Sequence, residues 1–479
     1  MSTPDDQETN RVVPAPRPPA MVEAGDEGPP TGSTGEDAAT DADGGNRSAA
    51  GYERSSRVRT RLIILAVCIA LVATTVVVLS MDFGRDEPAV TAPVAAATTQ
   101  QMPSVSTLPD VLYQQGQALV AGDLTGWLSF LDPNDTELAN QFRYMFDVLH
   151  NLGVTGWKPR LTAPELARLG GFEGLTTVDM LTTISYCIQI KDCQPDLAVG
   201  NHTNGSEGFI ARVSWVFETG AYRINKFQVQ PPSENAFLPP WLVTNVTVAT
   251  GERVSVAVPQ DLLGRLPAVL AAADRAAKVA DKYTKLIRPA RYIVYLAGPT
   301  EWDTWYHSTK PKRDALGYAI ETSRSSQSVV VKSTDVPDAK LDLVLGHEFG
   351  HVVSLLGDSY GYDYLQEGFA EFVEEDGRPV NTYYRLDDVR RFLRSGGWDG
   401  DIDHIHPYAA GLEGTAGYGL GYLTWRCIQS QYGDDTMWTF ARQAFRVYQP
   451  PDAAAQQVFG QPWPTVKAAC ASYIRAAAR

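Results

Sequence analysis

Hydrophobic positions divide the chain into stretches of different character. Residues 1–60 show no periodicity and are rich in Pro, Gly, Asp, Ala, Ser and Thr. So little apolar surface cannot offset the entropy of ordering, so a disordered tail is expected there. Leu62 to Leu79 is apolar throughout except for Thr74 and Thr75. As a helix this run measures about 27 Å, close to the hydrocarbon thickness of a bilayer, and 61–80 reads as a transmembrane helix. Residues 81–107 form a Pro/Ala/Thr linker. Periodic patterns then fill the remainder, in two parts with expected limits 108–235 and 236–479.

In the first part, Val111 to Phe130 and Glu137 to Leu152 have helical spacing. Thr182–Ile190, Gly208–Phe217 and Tyr222–Val229 alternate as antiparallel strands do. Helices followed by a curved sheet, with Ala121-Gly-Asp-Leu-Thr-Gly-Trp127-Leu near the start, resemble the NTF2-like fold. That resemblance implies an accessory module, and no chemistry is assigned to it. In the second part, Pro259 to Leu286 reads as one long helix, while Arg291–Leu296 and Ser328–Lys332 read as strands. Helical patterns follow from 340 to 357 and near 363–376, 385–395, 418–432, 436–447 and 464–478. The expected fold class is α+β, ending in a mainly helical domain.

Charge adds an orientation. Arg54, Arg57, Arg59 and Arg61 precede the apolar run, and Asp82, Asp86 and Glu87 follow it around Arg85. The positive-inside rule then places the N-terminus in the cytoplasm and everything after residue 81 outside, on a single-pass anchor. A cleaved signal peptide would start unusually far from Met1 and would lack a small-residue cleavage site. The net charge of −15 and the absence of Lys/Arg runs argue against a nucleic-acid partner. Of five Cys, Cys68 lies in the membrane run, and Cys187, Cys193, Cys427 and Cys470 make an even set suited to bridges in an oxidising exterior.

The chemistry is concentrated in Gly346-His347-Glu348-Phe-Gly-His351, inside a strongly apolar helix. Residues four apart share a helix face, so His347 and His351 can offer imidazole nitrogens to one metal ion. Glu348 then stands beside the site, free to act as a general base. A catalytic zinc takes a third protein ligand. Glu367, in Leu365-Gln-Glu367-Gly-Phe-Ala-Glu371, is the best candidate, and Asp358 and Asp363 are alternatives. Glu371, one turn beyond Glu367, is expected to accept a hydrogen bond from the free nitrogen of a ligating His.

His-Glu-x-x-His followed by Leu-x-Glu-Gly-Phe-Ala-Glu resembles the gluzincin zinc metallopeptidases, and is especially similar to the bacterial peptidase MA-like domains. The resemblance covers about 340–447. It implies Zn2+ held by His347, His351 and Glu367, Glu348 as base, and a peptide or protein substrate. Fifteen residues separate His351 from Glu367, a few fewer than in thermolysin. Ala416-Gly-Tyr418-Gly-Leu-Gly421 resembles the family's Tyr-x-x-Gly helix start, which implies Tyr418 as the donor to the oxyanion. His404 and His406 are its rivals, as electrophile or as ligands.

Other readings remain. The strand Val329–Lys332 could bind substrate backbone as a sheet edge, provided that it is not paired on both sides. Gly357-Asp-Ser359-Tyr-Gly361 matches a serine-nucleophile pattern, but it follows a helix rather than a strand. A catalytically silent, membrane-tethered binding or sensing protein on the same fold is the third reading, against which the intact Glu348 speaks.

Overall fold

The central sheet is written into runs that are apolar at every position. Tyr292–Ala297 and Val254–Pro259 are buried along their whole length, as strands covered on both faces must be. The computed structural model describes residues 108–161, 177–190, 207–218, 221–230, 238–286, 288–305, 315–323, 326–354, 363–447 and 449–479. The expected tail, the apolar run 61–80 and the linker to 107 lie outside these residues. Among the described residues no helix is long and apolar enough to cross a membrane.

The fold is α+β. It opens with helices α1 (Leu108–Ala121), α2 (Leu124–Leu128) and α3 (Thr136–Leu152). The single helix expected over 111–130 is broken because Gly122 takes a φ of +75° and the Asp123 carboxylate caps α2 by accepting from Gly126 N–H. An antiparallel four-stranded sheet follows in sequential order: β1 (Val154–Leu161), β2 (Thr177–Ile188), β3 (Glu207–Glu218) and β4 (Ala221–Val229). After the short α4 (Pro240–Val243) come β5 (Val246–Thr250), β6 (Val254–Pro259), α5 (Leu266–Ala280), β7 (Tyr292–Ala297), α6 (Pro299–Thr304), β8 (Gly317–Ser323) and β9 (Ser326–Lys332). The long helix expected over 259–286 is α5 flanked by 3-10 turns, with Pro267 in its first turn.

The second sheet has the order β5-β6-β7-β9-β8, with β6, β7 and β9 parallel and β5 and β8 antiparallel to them. Alternate residues face opposite ways. Val254, Val256, Val294, Leu296, Val329 and Val331 pack with α5 and the helices that follow. Ala257, Ile293, Tyr295, Ala297 and Val330 pack instead with the core of the first helices and sheet. Because β9 pairs with both β7 and β8, Val329–Lys332 cannot accept a substrate strand. That expectation is corrected: β8, absent from the sequence reading, is the edge strand of this sheet next to β9.

The helical half comprises α7 (Leu341–Ser354), α8 (Asp363–Glu374), α9 (Leu386–Arg394), α10 (Gly411–Tyr432), α11 (Asp434–Arg446), α12 (Pro451–Phe459) and α13 (Trp463–Ala477). A Cys427–Cys470 disulfide joins α10 to α13, with Cα atoms 5.4 Å apart. Cys187 is also disulfide-bonded, and Cys193 lies outside the described residues.

Helix α8 is held between α7 and α10 by glycines. A Cβ on Gly350 would lie 2.7 Å from Ala370 Cα, and one on Gly368 would lie 2.2 Å from the Gly421 carbonyl carbon. Gly368→Ala therefore forces α8 and α10 apart and is expected to cost about 1–3 kcal/mol, read as a fall of several degrees in the thermal midpoint. Gly264→Ala, where a Cβ meets nothing within 4 Å, should leave that midpoint nearly unchanged.

Candidate metal centre

Two consecutive turns of α7 carry His347 and His351, and α8 crosses them with Glu367. The donor atoms form a small triangle. His347 Nε2 lies 3.1 Å from Glu367 Oε2, His351 Nε2 lies 3.2 Å from His347 Nε2, and His351 Nε2 lies 3.4 Å from Glu367 Oε2. Ligands at the usual Zn–N and Zn–O distances around a tetrahedral ion stand about 3.3 Å apart, so the donor set fits zinc. Asp363 begins α8 but is not among the clustered donors. Asp358 and Ser359 lie outside the described residues.

Glu367 is buried, and its other oxygen accepts from the Tyr408 hydroxyl. Burial opposes its ionisation, yet the His351 and His347 imidazoles hold its carboxyl well below the usual range. Glu348 is buried too, and its Oε2 has no partner among the described residues. Its other oxygen faces β8, where a Cβ on Gly317 would come within 2.9 Å of Oε1. Burial pushes the Glu348 carboxyl up to about 8, against the pull of His351 and with the repulsion of Glu367.

Tyr418 stands beside His347, its ring centroid 5.7 Å from that of the imidazole. It does not start a helix: α10 begins at Gly411, two turns earlier than the sequence pattern indicates. Five glycines between 411 and 421 weaken the local helix signal, and packing supplies what propensity lacks. Burial, with Glu367 and Glu348 nearby, raises the Tyr418 phenol above its ordinary value, so it remains a hydrogen-bond donor. His404 is exposed and pairs through Nδ1 with Asp399 Oδ2 at 2.7 Å, and His406 is exposed. Neither belongs to the donor cluster.

Glu371 does not make the hydrogen bond expected of it. Its Oε1 is 3.7 Å from His347 Nδ1, because three donors from the following loop claim the carboxylate. Tyr383 Oη donates to Oε2 at 2.7 Å, and Tyr384 Oη and Arg385 Nε donate to Oε1 at 3.2 and 3.0 Å. Glu374, one turn further, also faces His347, with Oε2 3.8 Å from Nδ1. Both its oxygens are buried without partners among the described residues. Burial, then the charges of Glu371 and Glu375, raise its carboxyl well above the usual range. Glu374, Tyr408 and Arg385 were missed in the sequence. Only Glu374 left a signal there, lying seven residues from Glu367 and hence on the same helix face.

No protein-family model matches the sequence, and no curated relative matches it. Among solved structures, one that it resembles is a two-domain M1 zinc metallopeptidase mutant bound to L-arginine, at 12% identity and a TM-score of 0.32, covering 54% of this chain and 58% of that one. The M1 zinc metallopeptidase from Deinococcus radiodurans matches at 12% identity and a TM-score of 0.30, with the same coverage of 54% and 58%. A mutant of that enzyme matches at 14% identity and a TM-score of 0.30, covering 67% and 70%. The chain thus spans less than two thirds of the first two, and any functional reading has to rest on the geometry of the site.

The Glu371 arrangement is open to a direct check. Tyr383 is buried and Tyr384 is 45% exposed, so water can replace the second hydroxyl but not the first. Tyr383→Phe should lower stability by about 1–3 kcal/mol in a denaturant titration and Tyr384→Phe by clearly less. Equal losses would mean that the Glu371 carboxylate is not sealed as described.

Proposed function

We propose that the chain is a zinc-dependent metallopeptidase, anchored in the membrane by residues 61–80 and hydrolysing peptide bonds outside the cytoplasm. The observation that carries this reading is the triangle of His347, His351 and Glu367 donors beside a buried glutamate with an unpartnered oxygen. Zinc bound by these three side chains would supply Lewis acidity toward water and toward a peptide carbonyl.

The chain's own groups divide the remaining work. Glu348 takes the proton of the attacking water and returns it to the leaving amine. Tyr418, protonated and next to His347, donates to the oxyanion of the tetrahedral intermediate. Tyr408 fixes the carboxylate plane of Glu367. Strand β8 packs closely on Glu348 at Gly317, and its edge not paired with β9 is where substrate backbone would add as a strand. The Cys427–Cys470 bridge suits an oxidising exterior, in keeping with the orientation read from the arginines before the apolar run.

The test uses the purified full chain and an unstructured peptide library. One zinc per chain is expected, with cleavage abolished by a chelator and unaffected by a fluorophosphonate. Glu348→Gln should keep the zinc and lower kcat by roughly a thousandfold. Full activity in that variant would remove Glu348 from the reaction, and a zinc-free chain that still cleaves would overturn the reading.

A further inference from the structure

Arg385 lies outside the donor triangle and is held with unusual completeness. It is the residue just before α9, and its backbone (φ −91°, ψ 2°) is fixed by the start of that helix. Its Nε donates to Glu371 Oε1 at 3.0 Å and to Tyr384 Oη at 2.9 Å. Its guanidinium carbon is 4.8 Å from the ring centroid of Tyr384 and 4.8 Å from that of Tyr418. The cation is therefore stacked against both aromatic rings while tied to a fully buried carboxylate. Tyr418 in turn abuts His347, and Glu371 faces the other nitrogen of that imidazole.

We propose that Arg385 is a positioning residue that holds the Tyr418 ring in place against His347, making Glu371, Arg385 and Tyr418 one rigid wall of the site. A flat guanidinium suits this role. Its face can cover Tyr418 while its edge remains hydrogen-bonded to Glu371, a combination that the point charge of a lysine cannot reproduce. Phenol rings on helices retain χ freedom unless packed on both sides. Here His347 bounds one side and Arg385 another, so removing the cation releases the ring rather than the helix. The proposal rests on Tyr418 being the oxyanion donor only for its kinetic consequence, not for its structural content.

The experiment therefore reads both. With 3-fluorotyrosine at position 418 of the zinc-loaded full chain, Arg385→Gln should shift and broaden the 19F resonance. In peptide cleavage, Arg385→Gln should lower kcat on the order of tenfold or more with KM changed less than twofold. Arg385→Lys should restore only part of kcat. In a Tyr418→Phe background, Arg385→Gln should cause little further loss, because the group through which it acts is gone. An unmoved resonance, or losses that simply multiply in the double variant, would overturn the proposal. If the wild-type chain shows no zinc-dependent cleavage, the peptidase reading fails and the 19F result alone decides the role of Arg385.

Discussion

Everything at the candidate site depends on how closely α8 can approach its two neighbours. Donors from two helices reach one ion only if the packing of those helices sets their separation and register. Gly350 lets α7 settle on the backbone of α8 at Ala370, and Gly368 and Gly421 let α8 and α10 meet backbone to backbone. Gly368 is the residue after Glu367, and Gly421 is one turn from Tyr418. The same contacts that pack the core therefore set where the carboxylate and the phenol stand. This is why a weakly helical, glycine-rich segment is nonetheless the longest helix described.

Close packing here carries an electrostatic cost. Glu348, Glu367, Glu371, Glu374 and Glu375 are all buried. Arg385 answers Glu371, Arg378 answers Glu375 and the two imidazoles answer Glu367, whereas Glu348 and Glu374 have no Lys or Arg paired with them among the described residues. Unmatched buried charge is unfavourable. A fold selected for stability alone would place apolar groups at these positions. A divalent cation at the His347, His351 and Glu367 donors would offset much of the excess, so the cost makes sense if the helices are built to hold one.

Much of this was legible in the sequence because it is local. His347 and His351 are one turn apart, and Glu367 and Glu371 share a face, so periodicity alone places them together. What the sequence hid is what folding brings together over distance. Tyr408 reaches Glu367 from 41 residues away, and the Tyr383–Arg385 loop takes over Glu371, displacing the hydrogen bond to His347 that spacing suggested. The start of α10 was hidden because glycine has low helix propensity, although the glycines are what the packing requires. Strand β8 was hidden because Gly317–Ser323 mixes polar and apolar residues, as an edge strand with one open side does.

The second sheet packs on both parts of the chain. One face of β6, β7 and β9 belongs to the core of the helical half and the other to the core of the first helices and sheet. Tyr144 on α3 reinforces the join, donating to the Trp241 and Thr244 carbonyls and accepting from Val246 N–H. At the far end of β8, Thr322 donates to Glu207 of β3, which also accepts from Tyr186. The strand that lines the site beside Glu348 is thus held by β9 along one side and by the first sheet at its end. Removing residues 108–235 would expose the face carrying Ile293, Tyr295 and Val330 and free the tip of β8. The first helices and sheet therefore share a core with the second sheet and help to hold its edge strand β8.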